Sequence, residues 1–396
     1  MKFLFEDDTF AFETLRITGF ANYFGADLGE VLATAARITD GDQASWHREW
    51  AATAARVAEL GERSLAAGHR VTARENLLRA SNYCRNAAAF GFDNPAALYA
   101  APIDTFAAAS ALLDHPAEAV SIPYQDTTLP GYLFLMDDSG APRPTIIYTS
   151  GYDSTSQECY FVLAVAAMRR GYNVLAFDGP GQGGALHLQK LVMRPDWDAV
   201  ITRVLDYALT RPEIEPTRTA GFGYSLGGYL LARAAAVEHR LCALILNDGV
   251  HDLASGFADH MPPFLTDWVQ EGHDEYAIRV PTLLMSISPQ LAWAVRNGMW
   301  VFGVKNYAEL LRTAANYTLD GVADQIVVPT LIMEGEHDKL LQGQPERVEK
   351  ALTAAKATRV TLTEAEGAGE HTHAGALARA HQVMFDWLDT VWIDMS

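Results

Sequence analysis

The segment Gly223-Tyr224-Ser225-Leu226-Gly227 has the pattern G-x-S-x-G and lies between an apolar run, TAGFG, and a helix-forming run, GYLLARAAA. In this strand–turn–helix setting a serine sits on a strained turn that projects its hydroxyl above a sheet, and flanking glycines avoid steric overlap. An isolated G-x-S-x-G would be weak, because a tight turn can contain a serine by chance. The flanking elements favour Ser225 as a nucleophile.

A serine hydroxyl attacks a carbonyl only after a base removes its proton, so an acid and then a histidine should follow it in the chain. Asp338 follows the apolar run PTLIMEG, where a parallel strand would end, and Glu336 is the alternative acid. His371 lies in the loop EGAGEHTHAG after the last predicted strand, and His373 is the alternative base. We predict a Ser225–Asp338–His371 triad.

Hydrolysis of a carbonyl compound also needs N–H donors for the negatively charged oxygen of its tetrahedral intermediate. The N–H of Leu226, directly after the nucleophile, would supply one donor. The second should come from the loop after PTIIYTSG, and we assign it to the N–H of Tyr152. Gly151 would let that backbone approach the serine.

Two other kinds of site are poorly supported. DGPGQGG contains Gly179, Gly181 and Gly184 in the spacing G-x-G-x-x-G, but Pro180 removes a backbone donor, and the dinucleotide motif belongs in the first strand–helix turn. A glycine-rich turn beside the nucleophile is favoured. H-E-x-x-H is absent, and the His/Asp pairs in NDGVHD and GEHD lack partners at ligand spacing. We therefore expect no cofactor and no metal.

Three polar residues follow the run LCALILND and should reach the same rim of the sheet as Ser225. They are Asp248, His251 and Asp252. A carboxylate or imidazole at this rim would be able to contact substrate. Structural hydrogen bonding is the competing role.

The elements that must position these residues indicate an α/β class. Apolar runs alternate with helix-forming segments from the hairpin AVSIPYQDTTLPGYLFLM onward, which predicts a mostly parallel sheet flanked by helices. Residues 27–90 read as helices from their three- and four-residue apolar spacing. We predict an N-terminal helical domain at 1–117 and a catalytic domain at 118–396.

A helical lid is predicted at about residues 252–324, where the alternation of strands and helices stops. The segment is rich in large apolar side chains, and Trp293 and Trp300 are candidates for the wall of a substrate pocket. Its stretch VPTLLMSIS has strand-forming residues, yet we expect it to be helical. Such a lid would favour bulky aromatic or polyketide-like substrates.

The composition of the chain limits the kinds of molecule that we expect this protein to bind. A net charge of −19 would repel a nucleic-acid backbone, so we expect a small-molecule substrate and no nucleic acid. Cys84, Cys159 and Cys242 are too few and too widely spaced for a disulfide framework or zinc site. With no apolar N-terminal leader and no run of 18 apolar residues, the sequence predicts a cytoplasmic protein that does not enter membranes.

Segments that are distributed over nearly the whole chain resemble those of a known family. SWHREW, AAGHRVTARENLLRASNYCRNA, TLPGYLF, SGYDST, FDGPGQG, GYSLGGY, NGMWVFGV, YTLDGV and PTLIMEGEHD resemble the α/β-hydrolases that include 2,6-dihydroxypseudooxynicotine hydrolase, fungal polyketide-shortening hydrolases and fermentation–respiration switch proteins. The resemblance implies an α/β-hydrolase fold, an active site beneath an N-terminal helical domain, and a homodimer. It supports the same triad, although GEHTHAG departs from the family's histidine spacing and keeps His371 and His373 both open.

The resemblance implies hydrolysis of a carbon–carbon bond next to a ketone, or of an ester. The same triad would also serve an acyltransferase or cyclase if an amine or hydroxyl replaced water. A catalytically silent binding module is a third hypothesis, because fold alone does not fix function. A nicotinamide-dependent oxidoreductase would rest on DGPGQGG alone.

Overall fold

The computed structural model describes residues 3–91, 95–258 and 261–395. An eight-stranded sheet forms its centre, in the order β1-β2-β4-β3-β5-β6-β7-β8. The strands are β1 Glu118–Tyr124, β2 Thr127–Phe134, β3 Arg143–Thr149, β4 Asn173–Phe177, β5 Ile214–Tyr224, β6 Ala243–Asn247, β7 Thr330–Gly335 and β8 Ala357–Leu362. β1 and β2 form an antiparallel hairpin, β2 pairs antiparallel with β4, and β3 to β8 pair in parallel. The predicted mostly parallel sheet is confirmed.

Helices precede the sheet, as predicted. They are α1 Asp8–Gly19, α2 Leu28–Ala35, α3 Gln43–Ala66, α4 Arg70–Ala88 and α5 Pro95–Ser110. α1 and α5 lie outside the segment that reads as helical from its spacing. α1 begins at the N-cap Asp7, whose side chain accepts the N–H groups of Thr9 and Phe10. α5 contains Pro102, and a proline at such a position in a sequence normally predicts that a helix does not continue through it.

Helices cover both faces of the sheet. Those between β3 and β6 are α6 Val165–Met168, α7 Gly183–His187, α8 Asp198–Ala208 and α9 Gly227–Ala235. A helical insertion separates β6 from β7, and it comprises α10 Leu253–Ala258, α11 Phe264–Gln270, α12 Asp274–Ile287, α13 Pro289–Phe302 and α14 Tyr307–Ala314. We call α10 to α14 the lid. α15 Gln344–Ala351 and α16 Leu377–Asp394 complete the layers, and VPTLLMSIS lies largely in α12, helical as predicted.

Alternate residues of the strands face opposite sides of the sheet, and each side has its own apolar core. In β3, Ile147 belongs to the core cluster that includes α8 and the lid, whereas Ile146 and Tyr148 belong to the cluster that includes α16 and the helices after β3. A further cluster joins the N-terminal helices around Trp46 and Trp50. Within the described ranges, no helix has the length and apolarity that a membrane span requires.

A buried ionic cluster ties the N-terminal helices to the loop after β3. Arg16 of α1 lies 2.8 Å from carboxylate oxygens of both Asp153 and Glu158, and 3.1 Å from Glu13. Arg85 of α4 lies 3.4 Å from Glu13 and 3.7 Å from Glu158. We call these five residues the Arg16 cluster. Removal of a buried partner leaves an uncompensated charge, which is strongly destabilising.

We predict that Arg16→Met lowers the free energy of unfolding by about 3 kcal/mol, because Glu158 and Glu13 lose their main cation in a buried site. Arg16 is only 4% exposed. Arg63→Met is the matched control: its side chain is 62% exposed and pairs with Glu59 in the same helix. That change should shift stability by less than about 0.5 kcal/mol. Urea denaturation of the two variants checks this, and equal shifts would contradict it.

Candidate active site

Ser225 lies in the turn from β5 to α9 with a left-handed backbone, φ +57°. Glycines on either side permit this turn. A Cβ at Gly223 would lie 2.7 Å from the nitrogen of Gly228, and a Cβ at Gly227 would lie 2.8 Å from the carbonyl oxygen of Ser150. The local geometry is that of the strand–turn–helix motif expected from the sequence.

A chain of two hydrogen bonds runs from Ser225 through His371 to Asp338. The Ser225 Oγ lies 2.8 Å from His371 Nε2, and His371 Nδ1 lies 2.7 Å from Asp338 Oδ2. Asp338 follows β7, and its Oδ1 accepts the N–H groups of Leu340 and Leu341 at 2.9 and 3.2 Å. This arrangement can transfer the serine proton to the imidazole while the carboxylate orients the ring.

The alternative acid and base lie elsewhere. His373 is buried with its Nδ1 2.9 Å from the carbonyl oxygen of Ala368, and burial lowers its pKa to about 4. Glu336 is exposed and accepts the N–H of Glu364 at 2.8 Å. The structure therefore brings His371 and Asp338 to Ser225, and it holds His373 and Glu336 in contacts with the β8–α16 region.

Asp248 lies at the imidazole instead of on a pocket wall. It follows β6, is fully buried, and has its Oδ2 3.0 Å from His371 Nδ1 and 3.1 Å from the donating N–H of Thr372. Burial and the charge of Asp338 raise the pKa of Asp248 above its usual range. Burial would also raise the pKa of Asp338, but the imidazole of His371 outweighs it and holds that pKa low.

The backbone beside Ser225 offers two N–H groups. Gly151 packs so closely on the turn that a Cβ there would lie 2.6 Å from the carbonyl oxygen of Tyr224 and 3.2 Å from the nitrogen of Leu226. Neither the Leu226 nor the Tyr152 N–H has a protein acceptor among residues 3–91, 95–258 and 261–395. Both N–H groups are thus free to donate to another acceptor.

Tyr152 also connects this loop to the lid. Its hydroxyl donates to the carbonyl oxygen of Ala294 in α13 at 2.6 Å, and its carbonyl oxygen accepts the side-chain amide of Asn297 at 3.2 Å. The ring packs near Trp293 and Phe302, with centroids 6.3 and 6.4 Å away. Tyr152 therefore joins the loop after β3 to α13 of the lid through both its side chain and its backbone.

A cavity of about 120 Å³ lies next to Tyr152, between the N-terminal helices, the lid and the DGPGQGG turn. Trp293 and Trp300 line it, and Trp293 donates its indole N–H to the carbonyl oxygen of Ala89 at the end of α4. Arg85 and Asp153 of the Arg16 cluster form a charged part of its wall. Gly181, Gln182 and Gly183 from DGPGQGG form another part, so this turn borders the cavity.

His251 and Asp252 lie at the base of the lid and away from that cavity. The N–H groups of both donate to the side-chain oxygen of Gln344, at 3.0 and 2.9 Å. The carboxylate of Asp252 accepts the N–H of Ala254 and so caps α10, and His251 lies 3.6 Å from Asp320. Their contacts are those of a structural junction between β6 and the lid.

Three groups could supply metal ligands within the described ranges: Asp248, Asp338 and His371, whose ligand atoms lie within 4.8 Å of one another. Both carboxylates already contact the same imidazole nitrogen. A cation there would compete with the Nδ1 proton that the Ser225–His371 contact requires. The geometry therefore favours proton transfer between Ser225 and His371 over metal binding by these three side chains.

Sequence reasoning did not identify two features of this site. The sequence predicts Asp248 as a pocket residue, although Asp248, like Asp338, follows a strand that ends at the same edge of the sheet. The Arg16 cluster gave no signal, because isolated charged residues in helices normally face solvent.

Comparisons with known proteins agree with this architecture. The model of the alpha/beta hydrolase family matches residues 146–386. The chain is 38% identical to hydrolase LUC6 of Fusarium sp, over 98% of both chains. It is also 38% identical to 20-hydroxy-prefusarin hydrolase FUS2 of Gibberella moniliformis, over 99% of this chain and 98% of that protein.

The crystal structure of 2,6-dihydroxy-pseudo-oxynicotine hydrolase has the same fold, with a TM-score of 0.76 at 23% identity, over 94% of this chain and 95% of that one. The family model covers more than half of the chain, and the two relatives cover nearly all of it. The protein belongs to the alpha/beta hydrolase family and is an enzyme of that family.

Proposed function

We propose that this protein is a serine hydrolase that cleaves a carbonyl compound, either at a carbon–carbon bond next to a ketone or at an ester. Ser225 is the nucleophile, His371 the base and Asp338 the acid that orients it. The observation that carries the proposal is the pair of contacts at 2.8 and 2.7 Å that join these three side chains.

The reaction proceeds in two halves. His371 Nε2 takes the Ser225 proton as Oγ attacks the carbonyl carbon, and the resulting oxyanion accepts hydrogen bonds from the N–H groups of Leu226 and Tyr152. The imidazolium then donates its proton to the leaving carbon or oxygen. Water, activated by the same imidazole, releases the acid from Ser225.

We propose a bulky aromatic or polyketide-like substrate. The aromatic lining supports this, since Tyr152, Trp293 and Trp300 share one cavity. So does the name of the relative FUS2, a 20-hydroxy-prefusarin hydrolase. Pockets for drug-sized ligands have volumes of roughly 300–1,000 Å³, so a substrate of that size requires this cavity to widen.

We further propose that the protein is a cytoplasmic homodimer, composed of a helical domain at 1–117 and a catalytic domain at 118–396. The family resemblance supports the dimer. Three free thiols suit a reducing compartment. The start of β1 at Glu118 supports the division into domains.

A fluorophosphonate probe should label Ser225, because an activated serine beside oxyanion donors reacts fast. Ser225→Ala and His371→Ala should each lower kcat by several orders of magnitude and abolish or nearly abolish labelling. His373→Ala is the matched control and should keep the labelling rate within about tenfold of wild type. Mass mapping of the labelled peptide checks the site. Label on another residue, or fast labelling of His371→Ala, would reject the triad.

Gly151→Ala should lower kcat about 100-fold or more, because the new methyl group displaces the backbone that carries the Tyr152 N–H. Gly256→Ala is the control: its Cβ would meet nothing closer than 3.9 Å. Steady-state kinetics with one ester substrate measure both. If Gly151→Ala retained more than about half of the wild-type kcat, the oxyanion assignment to this loop would be wrong.

Catalytic efficiency should rise with apolar bulk across a panel of p-nitrophenyl esters and aromatic β-diketones, since each buried methylene adds about 1–3 kcal/mol of discrimination. Trp300→Ala should flatten that rise because its indole lines the cavity. Trp268→Ala removes a lid tryptophan that packs on Phe264 and Tyr276, and it should preserve the rise. If acetate esters are the best substrates and diketones are untouched, the bulky-substrate proposal fails.

A further inference from the structure

Two carboxylates face one imidazole nitrogen in this site. Asp338 Oδ2 lies 2.7 Å and Asp248 Oδ2 lies 3.0 Å from His371 Nδ1. A Ser–His–acid relay requires one such acceptor, because Nδ1 carries one proton. The second carboxyl group is therefore in excess of what the proposed reaction uses.

The backbone fixes Asp248 in this position. β6 and β7 are neighbouring parallel strands in which Asn247 pairs with Met333, so residues that follow them meet at the same edge of the sheet. α9 packs so closely here that a Cβ at Gly228 would lie 3.1 Å from the carbonyl carbon of Asp248. The N–H of Thr372, next to the base, donates to Asp248 Oδ2 at 3.1 Å. Strand register, helix packing and the histidine loop all hold the carboxyl group against the ring.

The charged groups that face Asp248 are Asp338 and His371. Two carboxylates this close in a buried site cannot both ionise freely, so one keeps its proton. Asp338 has two backbone donors on its other oxygen, whereas Asp248 Oδ1 has no partner in the part of the chain that the structure describes. A buried oxygen without a donor is tolerated better on a neutral carboxyl group. Asp248 is thus the protonated member, and Asp338 the ionised one.

We propose that Asp248 is a second acid for His371: a positioning residue that can accept a hydrogen bond from the Nδ1–H group and hold the ring toward Ser225 when Asp338 is neutralised. The inference rests on the proposed function, since it takes His371 as the base. When Asp338 is ionised, the protonated Asp248 donates a hydrogen bond to the Asp338 carboxylate and holds that carboxylate in place. With Asp338 replaced by a neutral amide, Asp248 loses its proton and takes over the contact with Nδ1.

The test compares Asp338→Asn with Asp338→Asn/Asp248→Asn. Replacement of the acid in a triad with a single acid lowers kcat by about 10⁴. With a second acid present, Asp338→Asn should lose about 100-fold or less, and the double variant should approach the full 10⁴. Asp338→Asn/Glu336→Gln is the matched control, because it removes the other nearby carboxylate in sequence, and it should behave like Asp338→Asn alone.

A measurement on His371 itself separates this role from a structural one. Takeover by Asp248 requires its ionised form, and Asp338→Asn favours that form because it removes the negative charge that raises the pKa of Asp248. Nitrogen NMR of His371 provides a readout without turnover: Nδ1 should stay protonated in Asp338→Asn, and the tautomers should mix in the double variant.

The inference is overturned if Asp338→Asn loses about 10⁴ and the second substitution adds nothing. It is also overturned if the NMR signal shows Nδ1 already deprotonated in Asp338→Asn. Failure of the proposed function looks different, because His371→Ala would then remain active. Thermal unfolding of each variant distinguishes loss of structure from loss of the proton contact.

Discussion

The site depends on close approach of bare backbone at the carboxyl edge of the sheet. The loop after β3, the turn after β5 and the segment after β6 meet at Gly151, Gly227 and Gly228, where any side chain would overlap a neighbouring carbonyl group. This close contact accompanies the left-handed conformation of Ser225. The neighbouring ends of β6 and β7 then bring two carboxyl groups to the histidine of the last loop. Substitution of any of these glycines would disturb several groups of the site at once.

The charged groups of the Arg16 cluster and those around His371 are neutralised in different ways. Beneath the N-terminal helices, Glu13, Asp153 and Glu158 are compensated by Arg16 and Arg85. Around His371, two carboxyl groups and an imidazole contact one another, and no arginine among the described residues forms an ion pair with them. Burial lowers the pKa of His371, but the two carboxyl groups outweigh it and raise that pKa. The Arg16 cluster therefore consists of ion pairs with fixed charges. The side chains of Asp248, Asp338 and His371 instead hold a proton that can move between them.

Much of the fold was predictable from sequence, since buried parallel strands read as continuous apolar runs, and β3, β6 and β7 coincide with the runs PTIIYTSG, LCALILND and PTLIMEG. The prediction missed α1 and α5, because α1 buries charged residues and α5 contains a proline. At the site, motif and chain order predicted which serine, acid and histidine come together in space. They did not predict that Asp248 turns toward His371, because the direction of a side chain just after a strand depends on register and on loop packing. Sequence also gives no sign that Arg16 is buried, since its partners are 137 and 142 positions away.

Tyr152 couples the lid to the oxyanion site that we propose. Its hydroxyl donates to α13, and its backbone N–H is one of the two proposed oxyanion donors. If that assignment holds, displacement of α13 by an entering ligand would shift a group that stabilises the transition state. A ligand that leaves α13 in place would find both proposed N–H donors, of Leu226 and Tyr152, in position. A ligand that displaces α13 would find the Tyr152 donor shifted. Discrimination by the lid should therefore affect the rate of the chemical step as well as the strength of binding, so that selectivity resides in kcat as much as in KM.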